Sequence, residues 1–367
     1  MQYSTINNQK ISRLGYGCMR YPLNAEGTVD KEAALKLMDY AYSRGITYYD
    51  TAMPYHNGES EIILGHWLKT IDRCTVAVAD KMSMWLVESA DKVADTFENQ
   101  LEKLQTDYID FYLIHSLNKD YWQKVLDFKL LDFLVEKKKE GKIRHIGFSF
   151  HDDFDFFKEV LASHPWDFCQ IQLNYMDVDF QAGTKGLKYA SELGMPVVIM
   201  EPLKGGLLAA LPPVEKAMLQ GKYTDGIAGM RWVASQPGVS VMLSGIVTEE
   251  NITDNTEIFN NFVPFNQEEL DIFTEINRSL SDKILVPCTA CQYCLPCPFE
   301  VDIPSCFKFL NNANRYDNYK KVKGTYNFHV PVHKASTCTD CQVCVSKCPQ
   351  NIDIPAKLKL VVEKLES

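Results

Sequence analysis

The 367-residue sequence predicts an α/β fold: a closed (β/α)8 barrel of the TIM-barrel type, followed by a small cysteine-rich module. Three observations carry this reading. Eight short apolar runs alternate with longer stretches of helical periodicity between residues 14 and about 250. Glycine follows several of those stretches at the place where a helix stops, in Arg44-Gly45, Glu140-Gly141 and Leu193-Gly194. Beyond Pro287 the periodicity gives way to a segment rich in Cys and Pro.

The elements follow in order. Residues 3–14, with Asn7-Asn8 at the centre, read as a hairpin ahead of the barrel. The strand-like runs are 14–18, 48–50, 75–79, 110–114, 143–148, 168–173, 197–200 and 241–244. Helix-like stretches between them include 31–44, 87–104, 121–139, 154–162 and 182–193. Eight evenly spaced units favour closure into a barrel over the rival doubly wound open sheet. A further helix is predicted over 268–280 and a closing helix over 356–365. The boundary falls near 283, giving a barrel domain of residues 1–282 and a module of 283–367.

Composition narrows the function. Hydrophobic residues make up 46% of the chain, which excludes wholesale disorder. No apolar run approaches the ~18 residues of a membrane span, and the first residues lack a basic stretch followed by an apolar one. The expectation is a cytoplasmic protein with no membrane partner. A net charge of −10 argues against nucleic acid. The charge is uneven, because residues 283–367 hold 11 Lys/Arg against 7 Asp/Glu.

The cysteines explain that imbalance. Cys18, Cys74 and Cys169 are scattered, whereas nine others lie between Cys288 and Cys348. In a secreted chain such density means disulfides, and in a reducing compartment it means metal. The first group is Cys288-x2-Cys291-x2-Cys294-x2-Cys297-Pro and the second is Cys338-x2-Cys341-x2-Cys344-x3-Cys348-Pro. Three Cys at this spacing wrap one face of a cuboidal iron–sulfur cluster, and a remote Cys-Pro completes it. A pair of four-cysteine zinc sites is the alternative, although those normally use two CxxC pairs. Two oxidised clusters, each of charge about −2, would cancel the local excess of cations. The segment resembles a bacterial-type ferredoxin domain, departing from it in the x2 spacing before Cys297. The resemblance implies that Cys288, Cys291, Cys294 and Cys348 hold one [4Fe-4S] cluster, and Cys338, Cys341, Cys344 and Cys297 the second. Cys306 is left over and reads as a core residue.

In the barrel, Asp50, Lys81 and His115 fall at the ends of successive strands, with Tyr55 in the loop after the second. Barrel active sites sit at such ends. A Tyr titrates near ~10, so the expectation is that the Lys81 cation lowers Tyr55, with Asp50 pinning Lys81 and His115 orienting a carbonyl. Each residue alone has a structural reading, as a cap or a core histidine, and their combination is what points to chemistry. The stretch Asp50-Thr-Ala-Met-Pro-Tyr55-His-Asn-Gly58-Glu-Ser-Glu61, with Leu64-Gly65, resembles the aldo-keto reductase signature. Together with the C-terminal segment, the whole chain is similar to aldo-keto reductases fused to a ferredoxin-like domain.

That resemblance implies catalytic roles for Asp50, Tyr55, Lys81 and His115, and a nicotinamide nucleotide, NADP(H) or NAD(H). Ser149 and Gln170 would hold the carboxamide, and Phe150 stands where the family has Asn. Met200 would lie at the nicotinamide ring. Pro202, Leu203, Gly205 and Gly206 would approach the pyrophosphate. Ser244, Gly245, Asn251 and Asn255 would meet the adenosine end. Asn251, beside Glu249 and Glu250, replaces the Arg of NADP-preferring members, which leaves the nucleotide open. Cys18 reads as core or as facing the pocket. Three functions are weighed: a carbonyl reductase acting on a small carbonyl or alcohol, an electron-transfer oxidoreductase working with a ferredoxin or similar redox partner, and an idle barrel in an electron-carrier subunit. A hydride carries two electrons and a cluster accepts one, so a flavin also remains open.

Overall fold

A computed structural model describes residues 1–260 and 262–367. The hairpin comes first, β1 (Tyr3–Ile6) and β2 (Gln9–Ser12), turning through Asn7 and Asn8, both at positive φ. The barrel strands follow: β3 (Leu14–Gly17), β4 (Tyr48–Asp50), β5 (Ala77–Met82), β6 (Ile109–Leu117), β7 (Ile143–Phe150), β8 (Phe168–Gln172), β9 (Val197–Met200) and β10 (Val239–Gly245). Neighbours pair in parallel and β10 closes on β3. The eight strand-like runs are these eight strands, and the barrel is closed as expected.

Helices alternate with them: α1 (Lys31–Ser43), α2 (Glu59–Leu68), α3 (Lys92–Leu104), α4 (Lys119–Asp127), α5 (Leu130–Lys139), α6 (Phe154–Ser163), α7 (Gly183–Glu192), α8 (Pro213–Met218), α9 (Asp225–Ala234) and α10 (Glu249–Ile258). The single helix expected over 121–139 is broken in two, because Lys129 takes a left-handed φ of 52°. Gly45, Gly141 and Gly194 all have positive φ, which is why each stops its helix. Side-chain caps start others: Asp30 accepts the Ala33 N–H at 3.0 Å, and Asp153 accepts that of Phe156 at 2.9 Å.

The barrel interior is filled by Tyr48, Ala77, Ala79, Phe111, Leu113, Phe168, Val198 and Val241. Ile6 and Ile11 of the hairpin bury in the same cluster, so β1 and β2 plug one end of it. Helices α2 and α3 approach closely at Gly65, where a Cβ would stand 2.1 Å from the Lys103 carbonyl oxygen. A backbone atom cannot swing aside. Gly65→Ala is therefore expected to cost about 1–3 kcal/mol or more, read as a lower midpoint of thermal unfolding. An unchanged midpoint would contradict this packing.

The chain forms two compact units, Met1–Gly205 with Ile227–Asn266, and Gly206–Gly226 with Gln267–Ser367. The second unit thus takes in segments that lie before residue 283. It contains α8, α11 (Gln267–Ser281), α12 (Ile303–Arg315), α13 (Tyr319–His329) and α14 (Ile354–Val361), which continues as a wider π turn to Glu366. Glu215 of α8 is fully buried and accepts hydrogen bonds from Ser279 at 2.5 Å and Lys283 at 2.7 Å, tying α8 to the end of α11.

The little periodicity seen beyond Pro287 conceals α12 and α13. Ile303, Cys306, Phe307, Phe309, Leu310 and Ala313 make one buried face of α12, against which Val322 and Tyr326 of α13 pack. Among the described residues, no helix is long and apolar enough to cross a membrane.

Candidate functional site

Four polar side chains meet at the C-terminal ends of β4, β5 and β6. Asp50 ends β4, Lys81 is the penultimate residue of β5, and His115 lies near the end of β6. Tyr55 opens a tight turn after β4, in which His56 and Asn57 both take left-handed conformations (φ 50° and 55°). Two contacts hold that turn. His56 accepts the Tyr21 N–H at 3.0 Å, and Ser60 bonds both Thr51 (2.8 Å) and the Cys18 carbonyl (3.0 Å).

Lys81 Nζ donates to Asp50 Oδ1 at 2.5 Å and to the Thr51 carbonyl at 2.7 Å, and lies 3.4 Å from Tyr55 Oη. The Lys81 side chain is 1% exposed. Burial by itself would push Lys81 down, but Asp50 and Tyr55 outweigh it and hold the ammonium well above its usual range. Burial pushes Asp50 up, and Lys81 opposes that. In so short a contact with a cation, Asp50 is the ionised partner.

Tyr55 departs from the sequence expectation. Burial raises it by more than the Lys81 cation lowers it, so the phenol lies above its ordinary value. His115 is pushed well below its usual range, first by burial and then by Lys81, and is a neutral imidazole. Ser83 Oγ lies 2.7 Å from His115 Nδ1. That bond leaves Nε2 for a ligand. Trp85 stacks obliquely on His115 at 4.9 Å and Tyr121 on Trp85 at 5.6 Å, giving the site an aromatic wall. Sequence reading passed over Ser83, Trp85 and Tyr121, because nothing in their spacing marks them.

The remaining barrel residues divide. Ser149 Oγ accepts the Ser116 N–H at 2.7 Å, where β6 bulges and Ser116 has φ 54°. Gln170 is 2% exposed, and its Oε1 is buried without a hydrogen-bond partner. Phe150 is buried against Phe156 and Phe157 and offers no polar contact. Met200 is partly buried on the barrel-interior cluster. Pro202 is buried, and Leu203 lies over Gly229, where a Cβ would come within 2.8 Å. The Lys204 ammonium is committed to Asp177, which also receives Gln172 and Asn174.

Arg20, another residue the sequence reading did not single out, lies across Gly245, whose Cβ would sit 3.0 Å from its Cγ. One Arg20 guanidinium nitrogen is 3.8 Å from the corresponding point at Gly205. Gly206 groups with the second unit, where Lys321 Nζ stands 2.6 Å from its Cβ position. Asn255 donates to Ser244 Oγ at 3.0 Å and Asn251 accepts the Val247 N–H at 3.3 Å, so both brace the turn from β10 into α10. Cys18 is fully buried, and burial pushes its thiol up to about 12, so it is a neutral core group.

In the second unit the two cysteine loops share one backbone course. Ala290 and Gln292 have φ 55° and 63°, and Asp340 and Gln342, at matching places, have 61° and 64°. Glu300 and Asn351, each three residues past a Cys-Pro cysteine, have 58° and 51°. Asp302 and Asp353 then cap α12 and α14, each accepting the N–H group three residues on at 3.2 Å. The echo between the two loop sequences is thus a repeated structure.

The thiols do not group by sequence order alone. Cys288 lies within electrostatic reach of Cys291 and Cys348, and Cys344 within that of Cys338, Cys341 and Cys297, while Cys294 feels Cys288 and Cys291 of its own loop and Cys344 of the other. Cys288, Cys291, Cys294 and Cys348 line one pocket with Ile303, Phe307 and Ile354. All twelve cysteines are free. Among the described residues no three His, Cys, Asp or Glu side chains are gathered closely enough to grip a single metal ion, and Cys288, Cys291, Cys294 and Cys348 line a space instead. Cys306 is buried in α12, 3.6 Å from the Tyr326 hydroxyl, with its thiol pushed up by burial to about 12.

Comparison with known proteins agrees with both halves. Residues 13–278 match the aldo/keto reductase family, and residues 287–352 match a 4Fe-4S dicluster domain. The chain is 28% identical over 217 residues to a probable aldo-keto reductase 1 of Glycine max, covering 56% of this chain and 60% of that protein. It is 26% identical over 333 residues to the aldo-keto reductase YhdN of Bacillus subtilis, covering 77% and 96%. Its fold matches the holo form of an aldo-keto reductase from Bacillus halodurans with a TM-score of 0.63 at 24% identity, over 75% of this chain and 96% of that one. With a closed eight-stranded barrel and a family match over most of its length, the chain belongs to the aldo/keto reductase family of oxidoreductases and carries a 4Fe-4S dicluster domain at its C-terminal end.

Proposed function

We propose that the chain is a nicotinamide-dependent oxidoreductase that reduces a carbonyl, or oxidises the corresponding alcohol in the reverse direction, with Tyr55 as the general acid of the reduction. One observation carries the reading: the buried Lys81 ammonium bonds Asp50 at 2.5 Å and reaches the Tyr55 hydroxyl at 3.4 Å. A bound nicotinamide nucleotide would supply a hydride to the carbonyl carbon.

The chain's own residues do the rest. Tyr55 delivers its proton to the carbonyl oxygen, and Lys81 stabilises the phenolate left behind. Because burial holds Tyr55 up, the acid is fully protonated at neutral pH. Asp50 keeps Lys81 charged and aimed. Neutral His115 donates from Nε2 to the same oxygen and so orients the carbonyl. Trp85 and Tyr121 form an apolar wall over the site, which suits a carbonyl with an apolar or aromatic neighbour.

The residues at the mouth fit the nucleotide. The unpartnered Gln170 Oε1 is an acceptor for a carboxamide NH2, and Ser149, whose oxygen already accepts from Ser116, keeps its hydroxyl proton to donate. Asn251 and Asn255 are engaged in their own turn, so they favour neither NADP(H) nor NAD(H). In the second unit, Cys288, Cys291, Cys294 and Cys348 would hold one [4Fe-4S] cluster, and Cys338, Cys341, Cys344 and Cys297 the other, as the crossed grouping of thiols supports. The barrel domain, residues 1–282, and the cluster domain, 283–367, would then be the two functional modules.

The test is anaerobic oxidation of NADPH, then NADH, with a panel of small aldehydes and ketones. Substrate-dependent oxidation is expected, and its absence with every carbonyl would remove the reading. A second reading, electron exchange with a ferredoxin-like partner, is favoured by the exposure of Cys291 and Cys341 at the surface of their domain. Adding nucleotide and recording the low-temperature EPR spectrum tests it. A reduced-cluster signal would support a relay and direct the search to a flavin. Clusters reduced by dithionite but not by nucleotide would favour the carbonyl reductase with a bracing domain.

A further inference from the structure

Lys81 is held by its backbone as well as by its ammonium. Glu61 of α2, Asp80 of β5 and Gln100 of α3 meet around it, each at most 1% exposed. Asp80 Oδ1 accepts the Lys81 N–H at 2.8 Å. Gln100 Nε2 lies 3.1 Å from the Lys81 carbonyl oxygen, 2.9 Å from Asp80 Oδ2 and 3.2 Å from Glu61 Oε1. The Gln100 carbonyl accepts the Tyr112 hydroxyl, and Glu61 Oε2 accepts Lys103 Nζ at 2.8 Å.

The donors do not suffice for this arrangement. An amide nitrogen carries two hydrogens, and three oxygens crowd this one, two of them from carboxyl groups. Were both carboxyls ionised, two like charges would face each other away from water. The cations nearby are already engaged: Lys103 on the far oxygen of Glu61, and the Lys81 ammonium on Asp50. A single proton between Asp80 and Glu61 supplies the missing donor and removes one charge. Burial, followed by the proximity of Glu61, drives Asp80 well above the usual carboxylate range in the same direction.

We infer that Asp80 and Glu61 share one proton at neutral pH, and that this acid–carboxylate pair, bridged by Gln100, is a positioning device that clamps both peptide groups of Lys81. The groups facing the pair are Lys81 on β5, Lys103 and Gln100 on α3, Tyr112 on β6 and, through Lys81, Asp50 on β4. The positioning role rests on the reading of Lys81 given above, whereas the proton count does not.

The test is infrared spectroscopy of the full-length protein at pH 8, with the aspartate and glutamate carboxyls 13C-labelled in turn. The carbonyl stretch of a protonated carboxyl is expected in the wild type. A component of it should vanish in both Asp80→Asn and Glu61→Gln, because either variant leaves one carboxylate facing amide donors. No such band in the wild type, or a variant spectrum identical to the wild type, would overturn the shared proton. Neither result depends on activity. For the positioning role, Glu61→Gln is expected to lower kcat about tenfold while KM for the carbonyl stays within about twofold. An unchanged kcat beside a lost band would overturn that role alone.

Discussion

Tyr55→Phe is expected to slow carbonyl reduction by about 10²–10⁴-fold, the range in which a positioned general acid contributes. The substitution is nearly isosteric. The ring keeps its edge contact with His115, at 5.9 Å between centroids, and remains 4.9 Å beneath the Lys81 ammonium. The Lys81–Asp50 pair does not depend on the phenol oxygen, so fold and iron content should persist. Only the proton donor is lost. The measurement is single-turnover reduction under saturating nucleotide, with circular dichroism and iron analysis on the same sample. Full turnover in the variant would exclude Tyr55 as the acid and would leave His115, neutral and engaged by Ser83 at Nδ1, as the remaining donor.

The second large effect concerns iron and exploits the crossed grouping of cysteines. If Cys348 completes the cluster held by the first triplet, Cys348→Ala should remove about half of the roughly eight irons expected for two clusters. Double variants then reveal which cysteines belong together, since two changes within one site do not add. Cys291→Ala combined with Cys348→Ala should lose no more iron than either alone. Cys341→Ala combined with Cys348→Ala should lose nearly all of it. The reverse pattern would mean that each loop closes on its own cluster, contrary to the proximity of Cys348 to Cys288 and of Cys297 to Cys344.

Much of the barrel was legible because its signals are local. Alternation of short apolar runs with helical stretches needs only neighbours a few residues apart, and the glycines after α1, α5 and α7 act through their own φ. The elements that escaped lack such local marks. Helix α12 hides among cysteines and prolines, and its buried face becomes evident only against α13 and α14. The break between α4 and α5 depends on one left-handed residue, Lys129, of a type that carries no turn signal. The grouping of α8 with α11 rests on a buried Glu215 that meets Ser279 and Lys283 more than sixty residues away.

The candidate site divides in the same way. Residue types and their places at strand ends singled out Asp50, Tyr55, Lys81 and His115 as candidates, and the fold brings these four side chains together. The direction of the Tyr55 shift could not be read from spacing. A Lys nearby lowers a phenol and burial raises it, and the balance depends on how completely strands from different parts of the chain exclude water. The proton count around Asp80 likewise arises only where α2, β5 and α3 converge. The sequence by itself determined the local conformations and which chemical groups stand at the strand ends, because those follow from interactions across a few residues. The tertiary structure alone decided which distant thiols face each other, which amides are already engaged and which charges are kept from water, because desolvation and long-range contact exist only once the chain has closed.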